Sequence, residues 1–260
     1  MPALSAGEQK WKDLYAALVE KGFELRPRYA PNGDTEHTPP LPVPSNIIDA
    51  TDLQAGETVL LRLLAREEVQ ILEALRLEDP EFIIPLRKII PFDAEQTLLV
   101  MPFAARLTDN LSFETYHDLI RASLCMAKAI SFIHTKNIAH RQVRASDWAG
   151  DKRIRLERGA RAKVQPKCYL ADLSSAQRDS TQEDLAADVR RLKTMIKLWK
   201  NTYSQADGLS QLDSSEITTA DDVVSALENL LKQADVPVFL RDSGGKFLRG
   251  LVLRFVGGRL

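Results

Sequence analysis

A chain of 260 residues with a net charge of −1 can hold one large domain or two small ones, and it offers no global electrostatic pull toward nucleic acid or anionic membrane. Its 44% hydrophobic content is that of a globular protein, and two cysteines, Cys125 and Cys168, are too few for a disulfide framework; beside apolar residues, both read as buried reduced thiols. No apolar run approaches the roughly 18 residues that span a bilayer, and Met1-Pro2-Ala3-Leu4-Ser5 lacks the basic-then-apolar pattern of a secretory signal. The expectation is a soluble intracellular protein, cytoplasmic or nuclear.

Residues 5–23 are expected to form a helix. Trp11, Leu14, Tyr15, Leu18 and Val19 recur at helical spacing, and Gly22 is a stop. Turn formers then dominate through Gly33. Thr38-Pro39-Pro40-Leu41-Pro42-Val43-Pro44-Ser45 excludes helix, because proline lacks the amide donor and clashes with the preceding turn. It reads as an extended strap along a small lobe, with an SH3-type ligand as the other reading. Residues 46–51 and 58–64 read as two strands joined by a turn at Gln54-Ala55-Gly56-Glu57. Residues 66–77 read as a helix with Val69 and Leu72 on one face. Runs at 82–86, 88–92 and 97–103 are strand-like.

After Phe103 the pattern turns helical. Residues 113–136 place Leu119, Ile120, Leu124, Ala127, Ile130 and His134 at spacings of three and four, as a long buried helix does. A short strand at 168–171 precedes a periodic helix over 185–199, through Val189, Leu192, Met195, Ile196 and Trp199. Residues 203–218 are polar and read as mobile. Thr219 caps a helix reaching about residue 233, with Asp221 and Asp222 in its first turn. The tail beyond 237 is unplaced. The expected organisation is a helix and Pro-rich strap over 1–45, a strand-rich lobe over 46–103 and a helical lobe over 104–260.

The stretch with chemical content is Phe132-Ile133-His134-Thr135-Lys136-Asn137-Ile138-Ala139-His140-Arg141-Gln142-Val143-Arg144-Ala145-Ser146-Asp147. It resembles the end of the long helix and the catalytic loop of a protein kinase, whose pattern is His, three residues, Ile or Val, one residue, then His-Arg-Asp-x-Lys-x-x-Asn. His134, Ile138, His140 and Arg141 match. Gln142 stands at the catalytic base, Arg144 at the Lys and Asp147 at the metal-binding Asn. The resemblance implies an α+β, bilobal protein-kinase-like fold with a small strand-rich N-lobe and a helical C-lobe. It is degenerate in its motifs, and truncation of the large lobe stays open.

The resemblance extends over residues 47–199. Val59-Leu60-Leu61-Arg62 looks like the third strand, which in the family ends in Lys. Glu68 looks like the helix Glu that pairs with that Lys. Leu99-Val100-Met101-Pro102-Phe103 looks like the hinge, with Met101 as gatekeeper. Arg62, Glu68, Met101 and Ala104 are thus the implied nucleotide-contact positions. Ala171-Asp172-Leu173-Ser174 stands where Asp-Phe-Gly belongs, and Asp188 resembles the Asp that anchors the catalytic-loop backbone. More narrowly, Leu25-Arg26-Pro27-Arg28-Tyr29, Ile47-Ile48-Asp49-Ala50-Thr51 and Val100-Met101-Pro102-Phe103 are similar to elements of the fungal-type kinase-like family.

The departures set the functional expectation. A kinase covers phosphates with a Gly-rich loop, because only glycine lets backbone amides approach so closely. Between Ile47 and Leu61 the single glycine is Gly56. Arg62 is not interchangeable with Lys at a site shaped for a point charge. Gln142 cannot accept a proton as a carboxylate does. The run from Asp172 to Asp188 is short for an activation segment, and Ala-Pro-Glu does not occur. His140 and Arg141 then hold the loop rather than react. Asp147 and Asp172 either keep a divalent metal or make local hydrogen bonds. Arg62 and Glu68 read as a structural ion pair between strand and helix, with a phosphate contact as the other reading. The basic residues between Lys152 and Lys167 either bind an anionic ligand or form a solvated loop; no aromatic residue interleaves them for base stacking. The expectation is a pseudokinase: a binding or regulatory module with a protein partner, no catalytic residues, and weak or no binding of ATP with Mg. The alternative is a kinase-fold enzyme with residual or repurposed nucleotide-dependent transferase activity.

Overall fold

The computed structural model describes residues 4–33, 46–76, 81–103, 105–106, 115–150, 168–202 and 207–233. The chain is mixed α+β and divides into two compact units, Met1–Ala105 and Arg106–Leu260. The Pro-rich strap, Ala104, the basic run 152–167 and the tail from 234 lie outside the described residues.

The first unit is built on an antiparallel sheet of five strands in the order β1-β2-β3-β5-β4: β1 Phe23–Glu24, β2 Ile47–Asp52, β3 Glu57–Ala65, β4 Lys88–Pro91 and β5 Gln96–Pro102. β2 and β3 form the expected hairpin, pairing Ile47 with Arg62 and Asp52 with Glu57. Asp52 shapes the connection. Its Oδ1 accepts the amides of Gln54 (3.0 Å) and Ala55 (3.2 Å), and Gly56 supplies the positive φ of +66°. β3 lies between β2 and β5, and every residue from Val59 to Leu64 is buried. A strand covered on both faces reads as a continuous apolar run rather than an alternation.

The expected helix over residues 5–23 is two helices, α1 (Ala6–Asp13) and α2 (Tyr15–Glu20), interrupted at Leu14. Trp11 and Leu18 are both fully buried, in the cluster that also holds Phe23, Tyr29, Leu61 and Val100. Gly22, at φ +88°, ends α2 as its residue type implies. α1 starts with a capping box: Ser5 Oγ accepts the Glu8 amide (3.3 Å) and the Glu8 carboxylate accepts the Ser5 amide (2.9 Å).

Glu8 is also the centre of a buried polar group. Arg28 Nη2 lies 2.8 Å from it, and the Tyr29 hydroxyl donates to it at 3.4 Å. Burial, then the Glu8 charge, pushes the Tyr29 phenol up to about 12. Arg26 Nε reaches Asp49 of β2 at 2.8 Å. The Arg26-Pro27-Arg28-Tyr29 turn therefore ties α1 to the sheet. α3 (Arg66–Arg76) follows β3 directly. Residues 82–86 are not a strand, since Pro85 interrupts the run; Ile83 and Ile84 are nevertheless buried.

The second unit is organised by α4 (Tyr116–Thr135), a single continuous helix with a Thr115–Asp118 capping box. Short strands β6 (Ala105–Arg106), β7 (Trp148–Gly150) and β8 (Cys168–Leu170) form a small sheet in that order. α5 (Gln182–Thr202) is capped by Thr181, whose hydroxyl accepts the Asp184 amide while Asp184 accepts the Thr181 amide. Residues Asp207–Asp213, expected to be mobile, form a 3-10 helix seated by buried Leu209 and Leu212. α6 (Ala220–Gln233) packs on α4 and is joined to it by Lys128 and Glu228 at 2.8 Å. Thr219 caps it as its sequence implies. Cys168 is buried, Cys125 is half-buried, and the two form no disulfide; the Cys125 thiol donates to the Cys168 carbonyl at 2.8 Å. No helix among the described residues is long and apolar enough to cross a membrane.

Candidate functional site

The site lies in the second unit, in the loop that leaves α4. Asn137, at φ +54°, turns the chain back, and its amide bonds to the His134 carbonyl at 2.9 Å. Ala139 then pairs with Gln177 in an isolated antiparallel bridge, with amide-to-carbonyl distances of 3.0 and 2.9 Å in the two directions. Ser180 secures this bridge: its Oγ accepts the Ala139 amide and donates to the Gln177 carbonyl.

The next two amides converge on one carboxylate. His140 N donates to Asp188 Oδ2 at 2.5 Å, and Arg141 N donates to Asp188 Oδ1 at 2.7 Å. Successive amides normally point apart. Arg141 has φ +68°, a left-handed conformation that costs a non-glycine residue on the order of 1–2 kcal/mol, and the pair of charged hydrogen bonds offsets it. Asp188 is fully buried on α5, with His134 Nε2 at 3.3 Å and Arg191 at 3.7 Å. This is the anchoring role expected for Asp188.

His140 is buried. Its Nε2 is 2.7 Å from the Asp172 carbonyl, which assigns the proton to Nε2, and 4.0 Å from Asp147 Oδ2. Its Nδ1 is buried and has no hydrogen-bond partner among the described residues. Ser175 Oγ donates to the His140 carbonyl at 2.9 Å. This imidazole is a bracket between loop and strand end, as the holding role requires.

Asp147 joins the same group. Its carboxylate accepts the Arg144 amide at 2.8 Å, and its carbonyl accepts the amides of Ala171 (2.8 Å) and Asp172 (3.0 Å). Burial raises its carboxyl pKa; His140 and the Arg144 amide oppose the rise, and the Asp172 charge adds to it. Asp172 Oδ1 accepts the Ser174 amide at 2.9 Å. The two carboxylates thus share one neighbourhood, and both make the local hydrogen bonds that one reading of them required. They are also the groups a hard cation would use. Among the described residues, no group of three or more His, Cys, Asp and Glu is placed to hold a metal ion.

Gln142 is exposed, and its Oε1 accepts from Arg144 Nη2. The position therefore presents a carboxamide, which does not accept a proton as a carboxylate does. Arg62, Glu68 and Met101 belong to the first unit. Arg62 is buried on β3, paired with Ile47 and Leu99; Glu68 is half-buried on α3; and Met101 is fully buried on β5. Ala104 lies outside the described residues.

Sequence reasoning passed over Ser175, Gln177, Ser180 and Arg191. The available signal was the polar run Ser174-Ser175-Ala176-Gln177 between two anchoring aspartates, Asp172 and Asp188. That run is the wall against which the loop is held, through Ser175 and Gln177. A scan against protein-family models and a search of curated proteins find no match to this chain.

Proposed function

We propose that this chain is a pseudokinase: a degenerate bilobal protein-kinase-like fold that serves as a binding or regulatory module for a protein partner, with weak or no ATP binding. The observation that carries the reading is the Asp188 clamp on the His140 and Arg141 amides beside a residue 142 that is glutamine. The clamp is what the resemblance implies for Asp188. It holds the loop in a strained shape that has value when something docks on it. The residue that would take the proton is a carboxamide engaged with Arg144. Phosphoryl transfer rests on positioning and electrostatics, and Arg62 and the missing glycines remove two further contributions to both.

The second reading, a kinase-fold enzyme with residual or repurposed transferase activity, is favoured by the proximity of Asp147 and Asp172. A thermal-shift titration with ATP plus Mg or Mn separates the two. The expected outcome is no shift in melting temperature. A metal-dependent rise abolished by Asp172→Ala would promote the enzyme. Gln142→Asp alone is expected to leave phosphoryl transfer undetectable, measured by transfer of labelled phosphate to a generic protein substrate.

A further inference from the structure

Beside the clamped loop lies a cavity of about 770 Å³ whose wall carries three guanidinium groups: Arg141 and Arg144 from the loop and Arg191 from α5. Ser174, Ser175 and Gln177 complete its polar wall. The partners of these arginines matter. Arg141 Nη1 donates to the neutral Gln177 carboxamide at 2.7 Å, and Arg144 donates to the neutral Gln142 carboxamide. Each guanidinium is oriented without having its charge cancelled. Arg191 stands 3.7 Å from Asp188, whose carboxylate already holds two amides. Among the described residues the one acid lining the cavity is Asp184, whose carboxyl is bonded to the Thr181 hydroxyl and amide as a helix cap. Three arginines therefore meet two carboxylates, Asp184 and Asp188, and each carboxylate already accepts backbone amides.

A second cavity, of about 490 Å³, continues from the first and shares Val143, Arg144, Ala187 and Arg191 with it. Its lining adds Arg190 and Thr194 together with the apolar Met195, which is buried, and Leu198, which is 62% exposed. Among the described residues neither lining contains an aromatic side chain, and single strands are held by stacking, which favours a peptide over a nucleic acid.

We propose that this joined surface binds a phosphorylated peptide, with the phosphate in the arginine cup and a neighbouring apolar side chain against Met195 and Leu198. A phosphate monoester carries a charge near −2 at neutral pH and three acceptor oxygens, and guanidinium forks match it with paired hydrogen bonds. A phosphate alone leaves the apolar trough uncovered. The inference rests on the binding-module reading for one point only: the loop is a docking surface rather than a reaction centre.

The test is fluorescence anisotropy with a labelled peptide mixture carrying one fixed phosphoserine and randomised flanks, against the same mixture carrying serine. The phosphorylated mixture is expected to bind the full chain at least about tenfold more tightly, a difference that shrinks with added salt and below about pH 6, where the phosphate takes up its second proton. Arg144→Gln with Arg191→Gln, both exposed positions, should abolish the preference while leaving the melting temperature within a few degrees of the parent chain. Leu198→Asp should weaken the phosphopeptide without changing the weaker binding of free phosphoserine or inorganic phosphate. Equal binding of the two mixtures, or a preference that survives both arginine changes, would overturn the proposal. So would free phosphate binding as tightly as the peptide, or single-stranded RNA displacing it at lower concentration. The ATP titration reads the functional proposal separately. No ATP response together with no phosphopeptide preference would sink only this inference, whereas a metal-dependent ATP response would strike at the pseudokinase itself.

Discussion

Each unit buries one carboxylate completely, and the two are satisfied in different ways. In the first unit Glu8 is neutralised by a cation, Arg28 at 2.8 Å, with the Tyr29 hydroxyl and the Ser5 amide filling its remaining lone pairs. In the second unit Asp188 is held chiefly by the amides of His140 and Arg141. A buried carboxylate needs compensation whichever way it is obtained. A side-chain cation leaves the backbone free to follow its helix, so Glu8 joins two preformed pieces. Amide donors reshape the backbone, so Asp188 moulds a loop and commits Arg141 to a left-handed conformation. The first arrangement serves stability, whereas the second spends some stability to hold a surface.

The largest loss follows from removing the carboxylate that neutralises the buried cation. Glu8→Ala is expected to cost about 3–5 kcal/mol, because Arg28 remains charged and buried. Urea denaturation of the full chain measures it. Replacing both partners, Glu8→Leu with Arg28→Met, should recover most of the loss, since an apolar pair of similar volume is often as stable as a buried ion pair.

Asp188→Ala comes next. It orphans amides rather than a charge, at about 1–3 kcal/mol. Its signature should be local: faster hydrogen exchange at the His140 and Arg141 amides, with the α1 amides unchanged. An unaltered melting temperature and unaltered exchange would end the clamp assignment.

A half-exposed pair gives a smaller, pH-dependent effect. The Asp52 carboxyl is held below its usual range, first by Lys88 at 3.1 Å, then by the amides of Ala55 and Gln54, against the opposing effect of burial. A lowered folded-state pKa means stability present above the unfolded value of about 3.9 and lost as pH falls through the folded value. Asp52→Asn keeps an acceptor for the turn amides and loses the charge. Its urea midpoint should fall below the parent's at neutral pH and converge with it as the pH drops through the lowered folded-state value.

The smallest effect belongs to the solvated pair Lys128–Glu228, where Lys128→Ala should cost less than about 1 kcal/mol in the same assay. A loss there equal to that of Glu8→Ala would erase the distinction between buried and exposed charge.

Much of the fold was legible because its causes are local. The Thr219 cap, the Gly22 stop, the turn over Gln54-Ala55-Gly56-Glu57 and the unbroken α4 all follow from residues a few positions apart. The site was partly legible: the resemblance of His140, Arg141 and Asp188 to a kinase implied that Asp188 holds the loop backbone, and its carboxylate accepts both loop amides. The interruption at Leu14 and the seating of residues 207–213 were not legible, because each is decided by packing of distant parts of the chain. Leu209 and Leu212, isolated in a polar run, show no period until they are buried.

Periodicity, capping and turn chemistry act between neighbours in the chain, so the amino-acid order alone settles where the helices and most of the strands form. Electrostatic interaction falls with distance in space and is indifferent to distance along the chain. That Glu8 meets Arg28, that Asp188 reaches the amides of the loop after α4, and that Arg191 joins Arg141 and Arg144 around one cavity are outcomes of folding. An isolated arginine in the sequence carries no mark of which charge it will face, because the identity of its neighbour is fixed only when α5 packs beside the loop.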